Sequence, residues 1–161
     1  MYSHAPHNYP CPFCRLAQQI DPHDQARTVY HDSRITAFIC RDKWPNNPGH
    51  VLIIPNAHYE NIYVIPVALA ARIQECAQAV ALAFKHVYAC DGTSTRQHNE
   101  PDGGQDVWHY HLHVFPRYHN DQLYVSQSES MSASERHGYA ERLRSHMKAW
   151  TPLESLEERR L

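Results

Sequence analysis

The order of hydrophobic periods along the chain predicts an α+β domain. Three observations carry that prediction. Short segments rich in β-branched and aromatic residues fill the first third of the chain. An apolar period of three and four residues then runs from Pro66 to about Cys90, and one alternating segment and a second helical stretch follow it. Strands gathered ahead of one long helix, rather than alternating with helices, are the mark of α+β folds. At 161 residues the chain suits a single domain, 1–161, with a core large enough to need no staples.

The elements follow in order. "RLAQQID" has room for one or two helical turns before Pro22. "RTVYHD" and "RITAFICRD" read as short strands joined by the turn-like "HDS". "KWPNNPGH" is dense in Pro, Asn and Gly and forms a loop, and "VLIIP" is a buried strand stopped by Pro55. Val67, Ala70, Ile73, Ala77, Val80, Phe84 and Val87 then mark one face of an amphipathic helix, with Pro66 suited to its first turn. "CDGTS" ends that helix, and "TRQHNEPDGGQ" is a polar loop. "QDVWHYHLHVF" reads as a strand stopped by Pro116. "SASERHGYAERLRSHMKAW" reads as a C-terminal helix interrupted or capped near Gly138, and the charged tail after Pro152 is expected to fray.

Composition excludes some functions. A net charge of -2 and a pI near 6.7 give no electrostatic case for nucleic acid or an anionic membrane. Apolar runs such as "VLII" and "VALAA" are too short to cross a bilayer, and "MYSHAPHNYPCPFC" lacks the charged and apolar regions of a signal peptide. Five cysteines, an odd number without a secretory signal, argue for reduced thiols and a cytoplasmic location.

The chemistry concentrates in "QDVWHYHLHVF". On a strand, His109, His111 and His113 share one face, while Trp108, Tyr110, Leu112 and Val114 share the other. A partly exposed polar face is the bland explanation, but packing alone rarely selects imidazole at three alternate positions. Two sharper readings remain open: His-x-His as paired metal ligands, or a neutral imidazole acting as nucleophile toward phosphorus. The "GGQ" ahead of the strand suits close approach of backbone N–H groups to an anion. Asp106, by parity, lies off the histidine face, where it cannot complete a metal site. Parity therefore favours phosphate chemistry.

These residues resemble a known family. "GQDVWHYHLHVFPR" is similar to the signature of the histidine triad (HIT) nucleotide hydrolases and transferases. "AFICRDKWPNNPGHVLIIPNAH" resembles the family's upstream block, and "CPFC" resembles the N-terminal Cys-x-x-Cys of many bacterial members. The likeness runs in order from about residue 11 to 118, leaving 119–161 as a C-terminal extension. It implies an antiparallel sheet of about five strands with one long helix and a C-terminal helix, and a homodimer whose strands extend one sheet.

The resemblance also implies roles. His111 would be the nucleophile, attacking an α-phosphorus to form a nucleotidyl-histidine and release a nucleoside monophosphate such as AMP. The backbone carbonyl of His109 would fix its tautomer, His113 would contact the phosphate or leaving group, and His50 would support the hydrogen-bond network. Gln105 and Asn99 would bind phosphate oxygens, Asp42 would grip the ribose, and Phe38 and Ile39 would pack on a purine base. Relatives often carry a hydroxyl where Asp106 stands, so a backbone contact alone is expected there. Cys11, Cys14, His58 and His109 would hold one structural zinc per chain. The substrate would be a dinucleoside polyphosphate or an adenosine phosphoramidate. Transfer to an acceptor other than water, a nucleotide sensor with little turnover, and a hydrolase using His109 and His111 to hold a catalytic metal are the competing readings.

Overall fold

A computed structural model describes residues 2–153. Five strands form one antiparallel sheet in the order β1-β2-β4-β6-β5: β1 Thr28–His31, β2 Ile35–Ile39, β4 Val51–Pro55, β5 Gly92–Gln97 and β6 Leu112–Arg117. The helices are α1 Pro12–Ala17, α2 Pro22–Arg27, α3 Val67–Val87 and α4 Ala133–Met147. A separate two-stranded ribbon pairs β3 Asp42–Lys43 with β7 Glu129–Ser130.

Alternation sorts the sheet into two faces. Ile35, Ala37, Ile39, Val51, Ile53, Leu112 and Val114 join the main core beneath α3 and α4, with Ile73, Val80, Phe84 and Leu143. Phe38, Leu52 and Ile54 point the other way, against Phe13, Leu16 and Ala17 of α1. Register then lines up one row across the second face. Thr28 pairs with Phe38, Phe38 with Leu52, Leu52 with His113, and His113 with Arg96. Phe38, Leu52 and His113 of that row form the floor of the site.

Helix ends follow local chemistry. Asp21 and Ser132 cap α2 and α4 with their side chains, and Glu135 completes a capping box on α4. α3 spans 21 residues and is apolar enough to cross a membrane by length and composition, but half of its most apolar window is buried here as the core helix.

Several sequence expectations change. The long helix ends at Val87 rather than near Cys90, and α2 lay unrecognised within "PHDQAR". β5 lies where the sequence predicts a polar loop, because its residues, "GTSTRQ", are polar and its edge position does not require an apolar face. Pro116 lies inside β6 rather than stopping it. The ladder with β4 ends at Val114, so on that side no partner needs the N–H that proline lacks. α4 runs unbroken through Gly138, where an added Cβ would meet open space. The charged tail expected to fray lies, from residue 154 on, outside the described residues.

Candidate active site

The histidine segment is only half strand. Regular pairing begins at Leu112, so His109 and His111 precede β6, and the chain there is held by Tyr110 N–H donating to the carbonyl of Tyr59 at 2.6 Å. The imidazoles still gather on the α1 face, with His111 5.3 Å and His109 5.9 Å from the Phe13 ring, centroid to centroid.

His111 is 2 % exposed, and its Nδ1 lies 2.8 Å from the carbonyl of His109. A carbonyl only accepts, so Nδ1 carries the hydrogen and Nε2 carries the lone pair. Burial pushes the His111 pKa below the ordinary histidine range, against the opposing pull of that carbonyl and of Asp106. The ring is therefore neutral at neutral pH, with its free nitrogen toward a cavity of about 230 Å³. His113 also lines this cavity, and its Nδ1 is 3.4 Å from Nε2 of His50. Burial drives the His113 pKa down, helped by His111 and His50. His50 is fully buried, stacked on Phe115 at 4.5 Å, and its pKa is pushed down to about 3 by burial first and Arg96 second. Among the described residues its Nδ1 has no hydrogen-bond partner.

Phe13, Phe38, Leu52 and Val107 supply apolar walls for the cavity, and Asp42 supplies an acid at its rim. Arg41 binds both carboxylate oxygens of Asp42, at 3.1 and 3.0 Å, and Ser130 on β7 donates to one of them at 2.8 Å. The Arg41 hydrogen bond, above all, holds the Asp42 pKa below the usual carboxylate range. The ribbon β3–β7 thus carries the Asp42 side of the rim.

Three expected contacts are not in place. Ile39 lies on the opposite face of β2 in the main core, because alternation gives the cavity only Phe38. Gln105 spends its amide on backbone, donating to Glu60 and Val107 and accepting from Glu100. Asn99 accepts from Ile62 N–H and donates to Gln97, which ties down the loop rather than reaching the cavity. Asp106 is also corrected. Residues 105–111 are not a strand, so parity fails, and its carboxylate comes to 3.8 Å from Nε2 of His111.

Sequence reasoning missed three arginines of the cavity wall, Arg15, Arg27 and Arg41. Arg27 sits 5.0 Å over the Phe38 ring and is held by Asp24. Only the fold of α1 and α2 against the sheet brings Arg15 and Arg27 here, though Arg41 adjoins Asp42 in sequence.

Behind the site, Cys11, Cys14, His58 and His109 place four ligand atoms within 4.8 Å of one another. Sγ of Cys11 is 3.3 Å from Nδ1 of His109, and Sγ of Cys14 is 3.2 Å from Nδ1 of His58 and 3.5 Å from that of His109. The other nitrogen of His109 donates to the carbonyl of Pro55 at 2.9 Å, which leaves Nδ1 as the ligand atom.

The HIT domain family model matches residues 22–120. The protein named hit of Bacillus subtilis is 33% identical over 108 residues, covering 67% of this chain and 71% of that protein. An adenylylsulfatase of Arabidopsis thaliana is 27% identical over 118 residues, covering 73% of this chain and 57% of that protein. Among solved structures, a zinc-bound histidine triad family protein from Mycobacterium smegmatis superposes with a TM-score of 0.72 at 25% identity, over 91% of this chain and 97% of that one.

Proposed function

The chain belongs to the HIT domain family, and from that premise we propose that it is a nucleotide hydrolase working through a nucleotidyl-histidine on His111. The observation that carries this reading is the 2.8 Å contact between His111 Nδ1 and the His109 carbonyl, which leaves Nε2 bearing a lone pair toward the cavity. The Nε2 lone pair forms a bond to the α-phosphorus as the bond to the leaving group breaks, and that bonding pair departs with the leaving group. Water then attacks the same phosphorus. The N–P bond breaks, its pair returns to Nε2, and a nucleoside monophosphate leaves with the second water proton passed to solvent.

Phe38 and Leu52 form the apolar surface for a purine base, and Asp42 the acceptor for ribose hydroxyls. Within this reading Asn99 and Gln105 order the loop beside the phosphates. A relative named an adenylylsulfatase supports an adenylyl group as the part transferred. A single catalytic metal held by His109 and His111 fits poorly, because His109 Nδ1 faces the cysteines while His111 Nδ1 faces a carbonyl.

Cys11, Cys14, His58 and His109 would hold zinc. Bond lengths of about 2.3 Å to sulfur and 2.0 Å to nitrogen place tetrahedral S···N pairs roughly 3.5 Å apart, close to the separations above. Four protein ligands leave no open position, so such an ion would fix the N-terminal segment and the His109 main chain without taking part in the reaction. Pairing of two copies through an open sheet edge, such as β5, completes the reading.

The test is trapping. The protein is mixed with adenosine phosphoramidate or a diadenosine polyphosphate, quenched in base and digested for mass spectrometry. AMP on His111, absent in His111→Ala, is expected. AMP release with no adduct at any quench time, abolished by stripping metal, would replace this reading with metal-activated water.

A further inference from the structure

Asp42 and Ser130 are direct partners in the β3–β7 ladder, although 88 positions separate them in the chain. Ser130 Oγ donates its one O–H to Asp42 Oδ1 at 2.8 Å, and Arg41 Nε donates to the same oxygen at 3.1 Å. Two bonds fill the two lone pairs of Oδ1. Oδ2 accepts one bond, from Arg41 Nη2 at 3.0 Å, and keeps a lone pair for a further donor.

The two donors differ in what holds them. The Arg41 side chain is 72% exposed, so water competes for its ion pair, and pairs of that kind contribute little. Ser130 lies on an exposed strand, but its neighbour Met131 is buried in the main core and gives its N–H to the Arg41 carbonyl at 2.9 Å. The next residue, Ser132, opens the capping box of α4. Main-chain anchors therefore fix the Ser130 hydroxyl, whereas the long arginine is free to sway.

We propose that Ser130 is a positioning residue for ribose recognition. Its hydroxyl holds Oδ1 and turns Oδ2 of Asp42 to the sugar, which makes the C-terminal segment part of the nucleotide site. This rests on the reading above, in which Asp42 accepts from ribose hydroxyls. Without Ser130 the carboxylate regains rotational freedom and water on Oδ1, and a bound ribose must order it again. The loss falls on affinity, because the carboxylate meets the sugar and not the phosphorus.

The experiment compares KM and kcat for adenosine 5′-phosphoramidate and its 2′,3′-dideoxy analogue. The intact protein is set beside Ser130→Ala, Ser130→Thr and Lys43→Met. In the intact protein kcat/KM for the ribonucleotide should exceed that for the dideoxy analogue about fiftyfold. Ser130→Ala should raise KM for the ribonucleotide about fivefold with kcat unchanged, and leave the dideoxy analogue as it was. Ser130→Thr keeps the hydroxyl and should restore the ribonucleotide KM. Lys43→Met removes the ribbon's ion pairs to Glu129 and Glu135 but not the hydroxyl, and should leave the ratio of the two substrates intact. An equal loss for both substrates in Ser130→Ala, no rescue by threonine, or the same fall in ratio in Lys43→Met would overturn the positioning role alone. A ratio near one in the intact protein, with His111 adducts forming, would overturn the ribose role of Asp42 and this inference with it. No turnover and no adduct with either substrate would overturn the hydrolase reading as well.

Discussion

His111 holds Nδ1 2.8 Å from the main-chain carbonyl of His109, the residue whose ring reaches the other way to within 3.3 Å of Cys11. One residue thus joins the N-terminal cysteine cluster to the nucleophile's tautomer. Cluster and reaction are coupled through a single peptide unit, and each can be disturbed separately.

Replacing the nucleophile should stop the reaction while leaving the fold. His111→Ala is expected to lower kcat by about 10⁴-fold or more, with nucleotide affinity changed much less. Single-turnover kinetics and calorimetric binding of AMP check the two halves. Loss of binding equal to the loss of rate would move His111 from attack to simple recognition.

Disrupting the cysteine cluster should show first in stability. Cys14→Ser is expected to abolish one-to-one zinc retention and to lower Tm by about 10 °C, for a site contributing roughly 3 kcal/mol. Without a cation beside it, burial pushes the Cys14 thiol up to about 12, so metal uptake should also release protons. Elemental analysis and calorimetry test this, and an unchanged Tm with zinc absent would argue against a structural ion.

Acid should destabilise the protein through its buried imidazoles. His50 at about 3 titrates well below the ordinary histidine value near 6.5, and His111 and His113 are depressed too, all by burial first. The unfolded chain binds protons at these sites near pH 6.5 while the folded chain does not. Stability is therefore full above that pH and falls as pH drops below about 6.5, by up to about 1.4 kcal/mol per unit for a site such as His50, whose folded-state value lies near 3. Urea midpoints between pH 8 and 5 measure the slope, and His50→Asn should reduce it by one proton.

Asp121 anchors the loop that carries His50. It is buried and accepts from Arg117 at 2.6 and 2.8 Å, Asn47 at 2.6 Å and Tyr118 N–H at 3.0 Å. Asp121→Ala would remove the acceptor of the Arg117 guanidinium, of one Asn47 N–H and of a main-chain donor, and should cost about 3 kcal/mol. The midpoint of urea unfolding reports it, and a loss under about 0.5 kcal/mol, as at an ordinary surface site, would deny the anchor.

Gly49 is fixed by both backbone and space. Its φ is +77°, and an added Cβ would stand 2.7 Å from Tyr139 and 2.9 Å from the Tyr88 hydroxyl. Gly49→Ala should destabilise by more than 1 kcal/mol and displace α4 from the loop ahead of His50. A fully native Tm in this variant would contradict the packing.

Much of this was written in local pattern. The unbroken apolar run at Val51–Pro55 and the helical period of Val67–Val87 specify their own elements, because both faces of the strand and one face of the helix must be buried. The spacing of His109, His111 and His113, with Cys11, Cys14 and His58, marks the chemistry, because those residue types at those intervals have few other uses. Tertiary structure decided what local pattern does not encode. Polar β5 becomes a strand only because β6 offers it a ladder. Ile39 and Phe38 are adjacent and equally apolar, yet only the placement of α1 and α3 says which faces the cavity. Arg27 reaches the Phe38 ring, and Asp106 turns toward His111, because the chain leaves the sheet before the histidines and the two-residue period no longer binds it. Periodicity is a property of one element, whereas a site is made where several elements end.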